Sequence, residues 1–537
     1  ASLMVSAGLA LIVICGYLVD AAGGGVAPTA VLLLSAALTI GLLWRWPRSP
    51  AADTSDSFAW LGIVVLVAAA IASLGGPSLL LPGRGPDLTH HLLLVDYIDQ
   101  QRQLVHDRSL DGAMGEMAHY TPGAHLLAVI IGALFGVEGW RAFFPLLALC
   151  AALTAGFVYL IARRLALPVP YAICAVLLLF LPAQYFYGAF THDGFLAQAA
   201  ATFFAVAAWW ALSAWDEDAT PIRAALFSIF LAATFLTWPV FIGPLLLVFA
   251  GAVLATNDPP QPWRRRMMAA AIGLAPLLVV AAIHVTGRTG WLAIVRTSGA
   301  VLQPSFDSLG WFLPLLALVG IPISVWDRRA RTTIVLLFAI VLQGLTLFVM
   351  AKTQGADTPY MAFKMVYLAI YPLAVLGAAG IHVLRRVAGN RDISLAWAAA
   401  TILVVVAVRP ALIAPRAVPV VDLDLYAAGK WTRAVGGEAC VDYLVSDAQT
   451  AYWLHLAVLG NPRASARMEE IDRYDPRAAM GKWIAAEGRI NAIADLRLLP
   501  DELRRRIEIT KAFGTAAVIR RPETPADGKM GDCDLGR

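Results

Sequence analysis

Twelve long apolar runs, most of them close to the length of a membrane-spanning helix, constrain this chain more than any other feature. A helix needs about 20 predominantly apolar residues to cross the hydrocarbon core of a bilayer. The runs occupy residues 4–22, 28–46, 59–75, 140–162, 168–188, 190–212, 224–256, 267–286, 309–327, 332–350, 364–384 and 394–413. The run 224–256 is too long for one span, and because Trp238-Pro239 interrupts it we expect two short helices there. The sequence therefore predicts about thirteen transmembrane helices.

The composition fits this interpretation. Of the 537 residues, 59% are hydrophobic and only 15% are charged, whereas a soluble globular chain has about 45–50% apolar and about 25% charged residues. The difference excludes an ordinary soluble enzyme, a disordered protein and a nucleic-acid-binding protein. We predict an α-helical polytopic membrane protein. The first run lacks a basic segment before it, so we interpret it as a span rather than a signal peptide; the chain begins without Met, which is consistent with a longer natural sequence.

The arginines of the loops indicate the orientation of the chain. They cluster in alternate loops, at Arg45/Arg48, Arg163/Arg164, Arg223, Arg264–Arg266, Arg328/Arg329/Arg331 and Arg385/Arg386/Arg391. Short loops rich in Lys and Arg face the cytoplasm. The N-terminus is therefore predicted to be cytoplasmic, and loops 76–139, 287–308 and 351–363 are predicted to face outward from the inner (plasma) membrane. The net charge of +4 then reflects these loops rather than an anionic partner.

A short apolar segment and a polar tail complete the predicted organisation. Residues 123–136 are too short to span, and counting them as a span would place Arg163 and Arg164 outside, so we predict an interfacial helix that ends outer loop 76–139. The chain then divides into a transmembrane domain, 1–415, and an extracytoplasmic domain, 416–537. In the tail, apolar runs at 440–445 and 516–521 alternate with helical patterns at 450–460 and 478–487, which indicates a small α/β domain.

The first candidate for chemistry is Asp87, which starts the segment Asp87-Leu-Thr-His90-His91 in the outer loop. An ionisable residue near membrane depth is a candidate for function. Asp87 precedes an apolar-periodic run at 88–100, so it can serve as a helix N-cap. It can also serve as a general base that takes a proton from an acceptor hydroxyl. The two roles are compatible, and the sequence leaves both open.

A second acidic residue, Asp193, follows His192 at the start of a later span. Asp193 is again a possible cap, because an apolar run follows it. A functional role is favoured because two Asp–His pairs that are distant in sequence are predicted on the same outer face at the same depth.

Basic residues are rare on the predicted outer face. The candidates are Arg288, Arg296, Lys352 and Lys364. One interpretation is that their side chains extend toward lipid headgroups. The other is that one or more of them bind the phosphate of a lipid donor.

Metal and nucleotide sites find little support in the sequence. A divalent metal would need the set Asp87, His90, His91, His192 and Asp193, whose spacing matches no recognised metal motif. No P-loop or other nucleotide-binding pattern occurs, and the predicted cytosolic loops are short. We therefore expect neither a cofactor nor a nucleotide substrate. Cys15, Cys150 and Cys174 lie in apolar runs as packing residues, whereas Cys440 and Cys533 are candidates for one disulfide.

The order of motifs resembles the GT-C glycosyltransferases that use polyprenyl-phosphate-linked sugars. In that group an outer loop with an acidic residue near its start leads to an interfacial helix with a Pro-containing aromatic motif, and the next span ends in a basic pair. Here Asp87 is followed by His119-Tyr120-Thr121-Pro122-Gly123 and then by Arg163-Arg164. The Tyr-Thr-Pro-Gly motif is nearest to the Tyr-Pro-Pro-Gly of mycobacterial arabinofuranosyltransferases, and a lone Asp87 replaces the acidic pair of some members. The resemblance covers about residues 58–386.

The resemblance implies an inverting transfer of a sugar from a polyprenyl-phosphate donor to a glycan, lipid or protein acceptor. Asp87 would deprotonate the acceptor hydroxyl, and Asp193 with His192 would orient the acceptor or the donor sugar. His90, His91 and Tyr120 would contact substrate, and the four basic residues would contact the phosphate. The leaving phosphate would need no metal. An arabinofuranosyltransferase or another cell-envelope glycan transferase fits this pattern.

Two other classes of function remain open. A transporter or flippase of lipid-linked saccharides would need inverted repeats and charged residues at the bilayer midplane. We find no convincing repeat, and the ionisable residues gather at one face. A non-catalytic receptor that binds through its outer tail would leave the paired Asp–His segments unexplained.

Overall fold

The computed structural model describes residues 2–45, 54–74, 86–107, 110, 114–182, 185, 194–254, 262–287, 312–388, 421–459 and 474–521. The chain divides into two compact units. The first comprises Ala1–Leu79, Arg102–Leu104 and His119–Arg416. The second comprises Leu80–Gln101, Val105–Ala118 and Ala417–Arg537, so it contains a helix of the predicted outer loop as well as the tail.

Long helices build the first unit. In chain order the helices up to residue 388 are α1 (Ser2–Ala21), α2 (Pro28–Trp44), α3 (Thr54–Leu74), α4 (Pro86–Gln101), α5 (Gly123–Leu134), α6 (Gly139–Arg164), α7 (Val169–Leu178), α8 (Leu196–Glu217), α9 (Pro221–Thr237), α10 (Ile242–Leu254), α11 (Trp263–Gly287), α12 (Phe312–Trp326), α13 (Arg331–Thr353) and α14 (Tyr360–Ala388). Of these, α4 belongs to the second unit and the others to the first.

The apolar helices make this chain a multi-pass membrane protein. Within the described ranges, seven helices are long and apolar enough to cross a bilayer, namely Leu3–Ala21, Ser55–Leu74, Gly139–Arg164, Leu196–Glu217, Trp263–Thr286, Arg328–Thr353 and Tyr360–Arg386. Six shorter apolar helices accompany them: Pro28–Trp44, Gly123–Leu134, Val169–Leu178, Pro221–Thr237, Pro239–Leu254 and Phe312–Pro322. The total of about thirteen spans stays a prediction, because the shorter helices fall below about 20 residues and the predicted span 394–413 lies outside the described residues.

The break at Trp238-Pro239 is confirmed. Helix α9 ends at Thr237, a 3₁₀ turn follows at Pro239–Phe241, and α10 begins at Ile242. Trp238 has extended backbone angles, with φ of −154° and ψ of 91°. Proline has no amide hydrogen and cannot continue the helical hydrogen-bond pattern, which explains the break.

The sequence placed two helices less accurately. Helix α7 ends at Leu178, ten residues before the end of the predicted span 168–188, and turns lead from it to Pro182. The residue before a proline is biased away from helical angles, which favours an early end. Helix α8 begins at Leu196, after Gly194 with a positive φ of 64°, and it extends to Glu217, beyond the predicted end at residue 212.

The short helix predicted at 123–136 is present as α5. Most of its residues are buried, including Ala124, His125 and Leu126. At its start, a Cβ on Gly123 would lie 2.9 Å from the carbonyl oxygen of Leu236. Glycine therefore allows the beginning of α5 to approach the end of α9 closely.

Glycines also set the contact between α12 and α14. A Cβ on Gly320 of α12 would collide with the carbonyl oxygen of Leu376, and a Cβ on Gly380 of α14 would collide with that of Leu316. Small residues let the backbones of membrane helices approach each other, and dispersion contacts then hold the pair together.

The basic clusters meet acidic residues where helices end and begin. Arg163 at the end of α6 donates to Asp56 of α3 at 2.7 Å. Arg331 at the start of α13 contacts Asp216 of α8 at 2.6 Å, and Arg266 at the start of α11 lies 3.9 Å from the same carboxylate. Further pairs join Arg164 to Glu217 and Arg223 to Asp218. These contacts gather clusters from separate loops at one end of the helices, as the alternation of arginines predicts.

A four-stranded sheet organises the second unit. Its main elements after α4 are α15 (Leu423–Ala434), β1 (Val441–Leu444), α16 (Ala448–Leu459), α17 (Pro476–Ile484), β2 (Asn491–Asp495), β3 (Glu508–Phe513) and β4 (Ala516–Arg520), and a one-turn helix, Asp501–Arg504, lies between β2 and β3. The strand order is β1-β2-β4-β3. Strands β1 and β2 are parallel, and β4 is antiparallel to both β2 and β3.

Helices cover both faces of this sheet. Val441, Ile493 and Val518 pack with side chains of α15 and α16 on one face. Leu444 and Ile519 pack with Trp483 of α17 on the other. The predicted α/β domain is confirmed, including its strands at 440–445 and 516–521; β2 and β3 were not predicted.

The cysteines divide as expected where they are described. Cys15, Cys150 and Cys174 are buried free thiols. Cys440 is disulfide-bonded. Cys533, the partner proposed from the sequence, lies outside the described residues.

Candidate active site

One face of α14 carries a lysine among tyrosines. Tyr360, Lys364, Tyr367 and Tyr371 are spaced by four, three and four residues, the periodicity of a single helix face. Lys364 is 1% exposed. Its ammonium donates to the side-chain oxygen of Gln198 at 2.7 Å. A cation is thus buried close to the start of α14.

Aromatic rings surround the ammonium of Lys364. Its Nζ lies 3.4 Å from the ring centroid of Phe195 and 5.0 Å from that of Tyr360. The faces of aromatic rings attract cations, and the attraction grows when water is excluded. Phe195 and Gln198 are at the start of α8, so the starts of α8 and α14 together hold the lysine in place.

The cluster continues along α14 with Tyr367 and Tyr371, and Tyr185 from another part of the chain packs against both. The ring of Tyr185 stacks on that of Tyr367, with centroids 4.9 Å apart and planes 18° apart. Its hydroxyl lies 2.8 Å from the hydroxyl of Tyr371. Tyr185 and Tyr371 are each 1% exposed. The cluster therefore joins a buried cation to hydroxyl groups that can donate hydrogen bonds to an anion.

The Tyr-Thr-Pro-Gly motif contacts the break between α9 and α10. The Thr121 hydroxyl donates to the carbonyl oxygen of Thr237 at 2.9 Å. The ring of Tyr120 lies 5.9 Å from that of Trp238 and 5.7 Å, edge to face, from that of His125. The motif is therefore held against the irregular segment that follows α9.

Gln343 of α13 connects this segment with the lysine cluster. Its amide donates to the carbonyl oxygen of Val240 at 2.7 Å and lies 3.6 Å from the sulfur of Met365. Met365 is the residue after Lys364. The two features that the sequence identified separately, the proline break and Lys364, thus lie near each other at one end of the helices.

Lys352, the other predicted phosphate ligand that is described, has different surroundings. It is exposed, and its ammonium donates to the carbonyl oxygens of Asp357 at 2.8 Å and Ala356 at 3.4 Å. These contacts hold the turn that follows α13.

The candidates on α4 lie in the second unit. Asp87 is the second residue of this helix, after Pro86, so it is in the first turn rather than at the cap position. The ring of His90 meets that of Tyr452 edge to face at 5.7 Å. His91 is 3% exposed. Proline is favoured at the first position of a helix and carboxylates are favoured in its first turn, which explains why α4 begins here.

The remaining candidates are His192, Asp193, Arg288 and Arg296, which lie outside the described residues. The approach of Asp87 to Asp193 therefore stays a prediction. Within the part of the chain that the structure describes, no group of three His, Cys, Asp or Glu residues has the arrangement of a metal site.

The sequence did not identify Phe195, Gln198, Tyr367 or Tyr371 as site residues. The regular spacing of Tyr360, Lys364, Tyr367 and Tyr371 was a usable signal, because it places four polar or aromatic side chains on one face of an apolar helix. No local pattern marks Gln198, which is 166 residues from Lys364.

A search of solved structures matched ArnT from Cupriavidus metallidurans bound to undecaprenyl phosphate, with a TM-score of 0.50. The alignment covers 87% of this chain and 98% of that chain at 14% sequence identity. This chain has the same overall fold as ArnT. The likeness extends over nearly the whole of ArnT, and at this identity it concerns the fold alone.

Two other matches have lower TM-scores. The oligosaccharyltransferase AglB from Archaeoglobus fulgidus, in complex with an inhibitory peptide and a dolichol-phosphate, has 15% identity and a TM-score of 0.46, covering 82% of this chain and 70% of AglB. The arabinofuranosyltransferase AftD from Mycobacteria has 15% identity and a TM-score of 0.45, covering 75% of this chain and 31% of AftD. No protein-family model matches the sequence, and a search of curated proteins found no match.

Proposed function

We propose that this chain is an inverting glycosyltransferase that moves a sugar from a polyprenyl-phosphate carrier to an acceptor hydroxyl at the extracytoplasmic face of the membrane. The observation that carries the proposal is the buried Lys364, held by Gln198 among aromatic rings. It lies in a GT-C fold shared with ArnT, whose structure contains undecaprenyl phosphate. The acceptor is a hydroxyl of a glycan, lipid or protein.

Lys364 is the residue we assign to the phosphate. A cation in a water-poor site interacts more strongly with an anion than a cation in water does. Its position is fixed by contacts from two helices, so little reorganisation is needed when charge develops on the leaving group. Lys352 is a weaker choice, because it is exposed and bound to the carbonyls of its own turn. Arg288 and Arg296 stay further candidates.

The proposed reaction is a single displacement. The acceptor hydroxyl transfers its proton to the carboxylate of Asp87, and its oxygen forms the new bond to the anomeric carbon. The bond from that carbon to the phosphate oxygen breaks on the opposite side, and polyprenyl phosphate leaves with the electron pair. Its added negative charge is stabilised by the Lys364 ammonium. Asp193 with His192 orients the acceptor or the sugar, and Tyr120, His90 and His91 contact substrate.

Carrier binding is the first test. The chain and its Lys364→Met, Lys364→Arg and Lys482→Met variants are purified in mild detergent, and titrated undecaprenyl phosphate serves as the probe. Because a hydrogen bond to a charged group contributes about 1.5–3 kcal/mol, we expect Lys364→Met to weaken binding about 10- to 100-fold. Lys364→Arg should lose less, and Lys482→Met, an equal charge change at an exposed residue, should lose nothing. Equal binding by all four proteins would remove Lys364 from the proposal.

Sugar transfer is the second test. A panel of undecaprenyl-phosphate-linked pentoses and hexoses is supplied to the reconstituted chain with extracted cell-envelope glycans. We expect polyprenyl phosphate to be released and a glycosidic bond of inverted configuration to form. Asp87→Asn should reduce the rate about 10²- to 10⁴-fold, the usual contribution of a general base. Saccharide movement across the vesicle membrane without a new glycosidic bond would instead favour a transporter.

A further inference from the structure

Helix α4 is part of the second unit although it is far from the tail in sequence. The compact unit contains Leu80–Gln101 together with Ala417–Arg537. Leu88, Leu92, Val95 and Ile98 of α4 are completely buried. The helix that carries Asp87 therefore belongs structurally to the domain at the other end of the chain.

Side chains of the tail contact α4 at three places along its length. Tyr452 of α16 meets His90 edge to face at 5.7 Å. The hydroxyl of Tyr426 of α15 donates to Asp96 at 3.4 Å. Arg433 of the same helix donates to the side-chain oxygen of Gln100 at 3.1 Å. Residues 90 and 100 are about 15 Å apart along a helix axis, so the contacts fix both the tilt and the rotation of α4.

The Tyr426 contact is itself rigidly held. The ring of Tyr426 stacks on that of Trp453 of α16, with centroids 5.6 Å apart and planes 10° apart. On α4, the amide of Gln100 donates to the second oxygen of Asp96. The charged groups that face Asp96 are Lys430 and Arg433 of α15 and Asp99 of α4. Asp96 thus lies at the centre of the contact between α4 and α15.

The rotation of α4 determines which side of the helix bears position 87. Each residue advances a helix by about 100°, so positions 87 and 96 lie about 180° apart around the axis. Contacts that hold position 96 against α15 therefore also fix the rotation of the helical backbone at position 87. Small displacements of a catalytic group can reduce a rate about 100-fold, so the orientation of α4 matters for a base at position 87.

We propose that the second unit positions α4 for catalysis, with Tyr426 and Arg433 as positioning residues that act on Asp87 through Asp96 and Gln100. The inference rests on the proposed function, because it assigns the tail a role in the same transfer reaction. Beyond that function, the tail controls the orientation of α4, the helix that bears the base.

The test compares two variants with a control in the full-length chain in lipid nanodiscs. Tyr426→Phe and Arg433→Gln each remove one contact to α4. Tyr443→Phe removes a comparable buried hydroxyl, which lies 2.8 Å from His455 in the core of the unit. We expect faster amide hydrogen exchange across α4 in the first two variants and unchanged exchange across α4 in the control. We also expect kcat to fall about tenfold with the donor KM within about twofold.

Several outcomes would overturn the inference. Unchanged exchange in α4 in both variants would show that the contacts do not hold the helix, and this measurement needs no substrate. An equal loss of kcat in Tyr443→Phe would show that only the stability of the unit matters. If the wild-type chain transfers sugar and Asp87→Asn does not, while Tyr426→Phe and Arg433→Gln keep the wild-type kcat, the inference fails and the proposed function stands. If the wild-type chain transfers no sugar, the proposed function has failed.

Discussion

The ammonium of Lys364 donates a hydrogen bond of 2.7 Å to the side-chain oxygen of Gln198, joining two helices whose residues are 166 positions apart. The bond satisfies part of the hydrogen-bonding capacity of a cation that is 1% exposed. A buried charge without such a partner is strongly unfavourable, so Gln198 and Lys364 form one structural element.

Replacement of Gln198 by Leu should therefore destabilise the chain. The variant keeps the size of the side chain but leaves the buried ammonium without this acceptor, which costs about 1–3 kcal/mol. Thermal unfolding in detergent, followed by loss of the folded peak in size-exclusion chromatography, measures the effect. Gln354→Leu, at an exposed position after α13, is the control. Equal melting temperatures for both variants would contradict the role of Gln198.

The crossing of α12 and α14 gives a second prediction. Gly380→Ala should reduce stability by about 1–3 kcal/mol, because the new methyl group would meet the carbonyl oxygen of Leu316 and a backbone atom cannot move aside easily. Gly344→Ala is the matched control, since its Cβ would make an ordinary contact of 3.5 Å with Met365. The same unfolding assay measures the effect. A Gly380→Ala protein as stable as the control would show that the close approach of α12 and α14 does not require a glycine at position 380.

The carboxyl group of Asp96 predicts a dependence on pH. Burial raises its pKa above the ordinary 3.8, although the Gln100 hydrogen bond and the charges of Arg433 and Lys430 act in the opposite direction. The folded protein then binds this proton more tightly than the unfolded chain does. Stability therefore falls as pH rises from about 3.8 through the folded-state pKa.

Asp96→Asn should remove this loss, because the amide has no charge to bury and can still accept from Tyr426. Above the folded-state pKa of Asp96, the free energy of unfolding of the variant should be higher than that of the wild type. The difference should be about 1.4 kcal/mol for each tenfold difference in the proton affinity of Asp96 between the folded and unfolded chains. Unfolding of the second unit followed between pH 4 and pH 8 measures the difference. The Asp501 side chain is 90% exposed, so Asp501→Asn should give no comparable gain in the free energy of unfolding. A wild type whose stability rises through this pH range would refute the prediction.

Orientation in the membrane is the fourth prediction. If the basic end of the helices faces the cytoplasm, a cysteine at position 356 should react with a membrane-impermeant maleimide in intact spheroplasts, and a cysteine at position 328 should react only after lysis. The wild-type chain is the blank for labelling of the five native cysteines, of which Cys15, Cys150 and Cys174 are buried and Cys440 is disulfide-bonded. The reverse pattern of labelling would invert the proposed topology.

The sequence predicted those parts of the fold that depend on local chemistry. Trp238-Pro239 marked the break after α9 because proline lacks the amide hydrogen that would continue the helical hydrogen-bond pattern. Arg163 and Arg331 marked one end of the helices because charges rarely enter a bilayer. The early end of α7 was missed, since the apolar run continues beyond Leu178 and hydropathy alone does not distinguish a helix from a turn.

Contacts between distant segments could not be predicted from sequence patterns. Lys364 was identified as a candidate for a phosphate, but its partner Gln198 carries no local signal. Helix α4 was predicted nearly to the residue, whereas its packing against α15 depends on side chains more than 300 positions away. Local patterns specify elements, and long-range complementarity specifies their partners.

The interleaved make-up of the second unit has a consequence for biosynthesis. About 320 residues of chain separate α4 from α15, and at about 5–20 residues per second their synthesis takes roughly 15–60 s. During this interval Leu88, Leu92, Val95 and Ile98 are without the cover that the finished unit gives them. The second unit therefore cannot be completed until the tail has been synthesised, and a ribosome that stalls before residue 421 leaves an apolar helix uncovered.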